Sequence, residues 1–273
     1  MRLFYIKGVI LSLIISFAKP DVFAQSPDNP DTNKARLLAA YNAIMAEDPF
    51  KRIEKANSFY SEFTGMLDTI VVKDQSFACL ENIGFIVSPD ERITVITWNI
   101  PAAYNENLYY GVIQYYSRHE KKYQLARLND SIAKGQTKQK AKWSGALYYE
   151  IVETKHAGQR YYTLLGFDLH NPLSNKKLID IVSIDDFDEL YFCENLLVYQ
   201  DKPQSRISFE YNEKAIMSLQ YNEEMKMIVF DHLSPSRPSL EGQHEFYGPD
   251  FTYDGFKWEK GVWVHYSNID VTN

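Results

Sequence analysis

The chain has 273 residues, a formal charge of −7, and 45% hydrophobic and 15% aromatic residues, including 20 Tyr and 16 Phe. That aromatic mass excludes a disordered chain, and only 12 Gly and 11 Pro exclude collagen-like or low-complexity material. The length suits one large domain or two small ones, and a net negative chain has no general attraction to nucleic acid.

Arg2 and Lys7 make a short positive start, and Gly8 to Ala18 is an apolar run too short to span a bilayer. Pro20 breaks the run, and Val22-Phe23-Ala24 offers compact residues at the −3 and −1 positions of a cleavage site. The pattern predicts a secretory signal peptide over residues 1–24, a mature start at Gln25, and export to the periplasm or beyond the cell. No Cys follows the cleavage point to carry a lipid, and no later stretch is apolar enough for a transmembrane helix. Three basic residues and one acidic residue leave with the leader, which takes the charge from −7 to −9.

Residues 25–33 read as a flexible polar linker. Leu37, Tyr41 and Ile44, with Leu38 and Met45, recur at helical spacing. Asp48-Pro49 restarts the chain as N-cap and first helical residue. Phe50, Ile53, Tyr60, Phe63 and Leu67 then mark the inner face of a second helix, so a helical pair is expected over residues 34–67. From residue 76 the period shortens to two. Ser88-Pro89-Asp90-Glu91 has the composition of a type I turn, and strands are predicted at 92–98, 108–116, 146–153, 161–167 and 177–184. A ten-residue repeat aligns Phe209-Glu210-Tyr211-Asn212-Glu213 with Leu219-Gln220-Tyr221-Asn222-Glu223. It predicts successive strands of one meander, with 226–230 as the third. The strands at 146–153 and 161–167 flank a Gly-containing hairpin loop, Lys155-His156-Ala157-Gly158-Gln159, and strands at 256–259 and 262–266 flank a turn at Lys260-Gly261.

The expected fold is therefore mainly β. It is a large antiparallel meander in one domain over 34–273, barrel-like, propeller-like or a sandwich, with two N-terminal α-helices. Cys79 and Cys193 lie in apolar strand-like settings, where one disulfide and two buried thiols are both open.

Several runs have a familiar look: Ser88-Pro89-Asp90 leading to Thr97-Trp98-Asn99, Lys142 to Tyr149, Tyr161 to Gly166, Ile228 to Pro235, and Tyr247 to Phe256. Together they resemble a family of exported proteins from Bacteroidetes bacteria to which no activity is attached. The resemblance spans nearly all of the mature chain and implies a bacterial envelope setting.

The richest candidate segment is 231–250, which shows neither period and carries three prolines. It offers Asp231, His232, Arg237, Glu241, His244, Tyr247 and Asp250 as binding residues. An imidazole beside a carboxylate can do acid–base work, yet the spacing matches no compact metal motif and no GxSxG elbow occurs. The acidic turn 185–189 lacks the spacing of a calcium loop. No cofactor or metal is expected. Residues 118–142 hold eight basic and two acidic residues, +6 against −15 for the rest of the mature chain. Lys134, Lys138, Lys140 and Lys142 are read there as a surface for an anionic glycan, a lipid headgroup or an envelope protein. The sequence points to a non-catalytic binding or envelope-associated protein. The rival is a hydrolase of an envelope or dietary polymer with its site in 231–250.

Overall fold

The computed structural model describes residues 30–72, 83–128, 137–139, 143, 145–192 and 194–271. The signal peptide, Cys79, Cys193, Lys134, Lys140 and Lys142 lie outside the described residues, as does the side chain of Lys138.

Two helices open the fold, α1 (Pro30–Met45) and α2 (Arg52–Leu67). α1 thus takes in the end of the expected linker. Asp48 caps as its sequence suggests: its Oδ1 accepts from the Phe50 N–H at 3.0 Å, with Pro49 at the start of a 3-10 turn that runs into α2. Leu37, Tyr41, Ile44, Phe59, Phe63 and Leu67 are buried. Phe50 and Ile53 are not core residues as expected. They precede the part of α2 that overlies the sheet and stay more than half exposed, with Phe50 edge-on to Tyr104 at 5.3 Å.

The first sheet is β1 (Ile83–Val87), β2 (Ile93–Pro101), β3 (Asn107–Ser117) and β4 (Lys122–Arg127), antiparallel and in chain order. Along β2 the even residues Ile96, Trp98 and Ile100 meet the helices, and Ile93 and Val95 face the other way. The second sheet comprises β5 (Thr137–Gln139), β6 (Leu147–His156), β7 (Gln159–Asn171), β8 (Ser174–Ile184) and β9 (Leu190–Phe192), with order β5-β9-β8-β7-β6. The third comprises β10 (Leu197–Tyr199), β11 (Lys202–Gln204), β13 (Leu219–Asn222), β14 (Met227–Pro235), β15 (Tyr247–Glu259) and β16 (Val262–Tyr266), with order β11-β10-β16-β15-β14-β13. β12 (Arg206–Asn212) returns to the second sheet and pairs with β8 from Arg206↔Asp180 to Asn212↔Ser174.

The molecule is a stack of four layers: helices, first sheet, second sheet, third sheet. Each of the three core clusters fills one gap between consecutive layers. Open sheets lie face on face, and among the described residues none closes into a barrel. Alternation reports that a face is buried, not whether the sheet closes on itself, which is why the sequence left the architecture open. The second sheet is covered on both faces, so β8 reads as a nearly unbroken apolar run, Leu178 to Ile184 around Asp180 and Ser183.

The ten-residue repeat is not one meander. Its first copy lies on β12 in the second sheet and its second on β13 in the third, so Phe209 and Leu219 meet the same core from opposite sides. The chain crosses between sheets at 213–218, so the short spacing marks a layer change. The hairpin turns are as expected. Ala157-Gly158 and Lys260-Gly261 both have positive φ at each residue (49° and 83°, 52° and 90°), the type I′ conformation that matches strand twist.

Sheet edges are handled one by one. β11 is exposed along its length and carries Lys202 and Pro203, which blunt pairing. At the other end of the third sheet, the β13 edge is tied to β6. The Tyr149 hydroxyl donates to the Leu219 carbonyl at 2.7 Å, and both Glu150 carboxylate oxygens accept from the Tyr221 N–H at 3.2 Å.

Candidate functional site

The sequence-predicted residues of 231–250 do not converge as a set; only His232 and Asp250 come together. β14 and β15 extend through much of that segment as a long hairpin, with Leu233↔Pro249 and Pro235↔Tyr247 in register beyond a bulge after Asp231. Asp231 turns to its own sheet, where its Oδ2 accepts from the Ser218 N–H at 2.6 Å. Arg237, Glu241 and His244 are exposed on the hairpin tip. His244 rests on the Tyr247 ring at 4.9 Å, and the Tyr247 hydroxyl accepts from the Gly242 N–H at 2.9 Å.

His232 and Asp250 do meet, at 4.0 Å from Nε2 to Oδ2, but the centre of that cluster is Asp254. Asp254 is almost fully buried. Its Oδ2 lies 2.9 Å from His232 Nδ1 and 3.3 Å from His265 Nε2, while its Oδ1 accepts from the Asn268 N–H at 2.9 Å. One carboxylate thus joins three strands and the tail. Burial pushes the Asp250 carboxyl up, but the Thr252 hydroxyl and N–H and the His232 imidazole outweigh it and hold it below its ordinary value. Among the described residues no group of three His, Cys, Asp or Glu is arranged to hold a metal ion. In the acidic turn, Asp185 Oδ1 accepts from the Phe187 and Glu189 N–H groups. Asp188 faces the first sheet, bonded by Ser117 Oγ at 2.6 Å and the His119 N–H at 2.8 Å.

The basic segment is described only in part. Lys122 pairs with Glu120 at 2.5 Å and Arg127 with Asp68 at 2.5 Å, so two of its eight cations already have carboxylate partners.

A cleft of about 700 Å³ opens at the edge of the second sheet, between it and the crossover 213–217, with Gly84 and Asn99 of the first sheet on its far side. Pockets of that size suit small organic molecules. Its walls include Tyr149, Phe167, Tyr211 and Met217, with Glu213 and the exposed Ile216 on the crossover that forms its lip. Tyr149 reaches the wall through a β-bulge: Tyr148↔Gly166 is followed by Glu150↔Leu165, leaving Tyr149 as the extra residue. Gly166 permits this packing, since a Cβ there would sit 2.9 Å from the Tyr148 ring.

Lys177 lies in this cleft. Period two on β8 puts it on the same face as Ile179 and Ile181, toward the third sheet. In register it stands between Phe167 of β7 and Phe209 of β12. Its ammonium sits 4.3 Å from the Tyr149 ring centre and 5.3 Å from that of Phe167. These rings attract a cation. Lys177 has no side-chain hydrogen bond or ion pair among the described residues, whereas the preceding Lys176 pairs with Glu210 at 3.3 Å. Burial holds the Lys177 ammonium below its usual value. Burial likewise raises Tyr149 and pushes Tyr211 up to about 12, so both phenols are neutral donors near neutral pH.

Sequence reasoning missed Lys177, Asp254 and His265. For Lys177 a signal existed: a lysine in phase with Ile179 and Ile181 on a β-branched run. For Asp254 none did, because its partners are set by hairpin register. Comparison with family models, with curated proteins and with solved structures finds no match for the chain. No helix among the described residues is long and apolar enough to cross a membrane.

Proposed function

We propose that the chain is an exported, non-catalytic binding protein of a bacterial envelope that takes a small organic ligand in the cleft between its second sheet and the crossover 213–217. The carrying observation is that cleft: aromatic walls fixed on paired strands, with a half-buried cation inside. Rigid elements position such side chains better than loops do. The apolar run Gly8 to Ala18 and the resemblance to exported Bacteroidetes proteins support the envelope setting. A thermal-shift screen of a small-molecule panel tests the reading. Ligands that raise the Tm of the wild type should lose that effect in Ala215→Trp, which puts a large ring into the cleft from the partly exposed crossover. Equal shifts in both proteins would refute it.

The hydrolase reading has one observation behind it, the His232 imidazole held by Asp254. Against it, no hydroxyl or thiol among the described residues is hydrogen-bonded to that imidazole, and Asp231 and Asp250 are engaged by Ser218 and Thr252. His232→Ala should leave any slow hydrolysis of a p-nitrophenyl ester unchanged.

A further inference from the structure

We propose that Lys177 is the anchoring cation of the cleft, and that the ligand class is a small aromatic or apolar acid presenting a single carboxylate. This rests on the cleft being the binding site and goes further, to the chemistry of what it holds.

The argument begins with what Lys177 lacks. A half-buried ammonium has given up part of its hydration, and desolvated charges are ordinarily compensated by a counter-ion. Here two aromatic faces offer partial compensation, 4.3 and 5.3 Å away, and no carboxylate among the described residues lies within ion-pair distance. Tyr149 is fixed by its bond to the Leu219 carbonyl, so it cannot turn away from the amine. The position is therefore prepared for an anion. An incoming carboxylate forms a charge-assisted hydrogen bond in a site of reduced dielectric, and such bonds are stronger than neutral ones.

The rest of the ligand follows from the walls. Tyr149, Phe167 and Ile216, none of them fully buried, offer flat and branched apolar surface, which favours an aromatic or aliphatic body over a polyol. Glu213 at the lip sets a limit on charge. A second anionic group on the ligand would lie toward it, and like charges disfavour each other there. One cation within and one carboxylate at the mouth thus select a monoanion. In a chain of charge −7 the overall field does not draw anions in, so the preference has to come from Lys177 itself.

Titration calorimetry with 1-naphthoate and its neutral isostere 1-naphthamide tests this on the exported protein, its Lys177→Met variant and its Ala215→Trp variant. The expected result is that naphthoate binds the wild type roughly ten- to hundredfold more tightly than the amide, the range for a hydrogen bond to a charged group. In Lys177→Met, which keeps the apolar stem, that advantage should vanish while amide binding and Tm hold. Equal affinity for acid and amide in the wild type, with both lost in Ala215→Trp, would overturn the role of Lys177 and leave the cleft reading standing. Failure of both probes to bind, or binding that survives Ala215→Trp, would overturn both.

Discussion

Arg206 holds Asp180 with two nitrogens, Nε on Oδ1 and Nη2 on Oδ2, each at 2.7 Å. Asp180 is completely buried on the first-sheet side of β8, and Arg206 stands opposite it on β12. The Tyr148 hydroxyl donates to Asp180 Oδ2 at 2.6 Å and in turn accepts from the Trp143 indole N–H at 3.2 Å. An apolar gap between two sheets thus carries one fully engaged polar network. Its geometry fixes the register of β12, the strand whose place sequence spacing misassigns.

Breaking that pair from one side should be costly. Asp180→Asn strands the Arg206 guanidinium in a largely buried position and should destabilise by about 3–5 kcal/mol. Arg206→Met together with Asp180→Leu should lose less than the two single changes summed. Urea unfolding of the four proteins measures the difference.

Gln114 couples the helices to the first sheet. Fully buried on β3, it donates from Nε2 to the Leu67 and Ile70 carbonyls at the end of α2, and its Oε1 accepts from the Val72 N–H. Gln114→Leu keeps the volume but leaves two buried backbone groups and one part-buried one without that partner. A loss of about 2 kcal/mol or more is expected, with hydrogen exchange quickening first in α2 and residues 68–72. Uniform quickening across the chain would contradict that assignment.

Alkaline unfolding should be cooperative. Burial, with Asp168 for Tyr109 and Asp90 for Tyr162, raises the phenols of Tyr109, Tyr149 and Tyr162, and burial pushes Tyr115 and Tyr211 up to about 12. Unfolded, each titrates near pH ~10. The folded state therefore keeps protons that the unfolded state releases, so this stabilisation is complete below about pH 10 and falls as pH rises through the folded values. Tyrosinate absorbance and circular dichroism should change together. A tyrosinate signal for these residues in the still-folded protein would refute the prediction.

Acid works on two carboxylates that link the first two sheets. Burial raises Asp90 and Asp188, but Ser88, Arg92, Tyr162 and Arg160 around the first, and Ser117, His119 and Arg92 around the second, leave both below the ordinary Asp value. Their stabilisation is present above about pH 4, where unfolded Asp titrates, and is lost as pH falls through the lower folded values. Glu150, raised by burial, acts in the opposite direction: its contribution is present at low pH and is lost as pH rises through its folded value. The urea midpoint should drop on acidification below about pH 4, and Asp90→Asn should flatten that slope.

Local chemistry was readable in the sequence, and pairing across layers was not. Asp48-Pro49, Ala157-Gly158 and Lys260-Gly261 each encode their own geometry within two residues, and each is where spacing placed it. Strand faces were equally legible, since alternation on Ile207, Phe209 and Tyr211 fixes what is buried. Alternation does not name a partner. The return of β12 to β8 depends on a buried ion pair whose members are 26 residues apart. The cleft depends on a bulge at Tyr149, which becomes visible only against β7. In 231–250 the lack of a period reflects a bulge after Asp231 and two 3-10 turns at the hairpin tip, Pro238–Leu240 and His244–Phe246, rather than convergence of its polar groups as a set.

Stacking order also follows chain order. The helices end by Leu67, the first sheet by Arg127, and most of the second by Phe192, before the bulk of the third begins. As the chain emerges N-terminus first, then, each layer can be completed before the next has appeared. The intervals between are the exposed ones. A nascent chain ending near residue 128 would present Ile93, Val95, Ile113 and Tyr115 as a bare apolar wall, and one ending near 192 would present Leu165, Ile179 and Ile181. Walls of that kind invite self-association. A layered protein is thus most vulnerable at each boundary between layers, and a stalled or clipped chain should aggregate most when it stops just short of its next sheet.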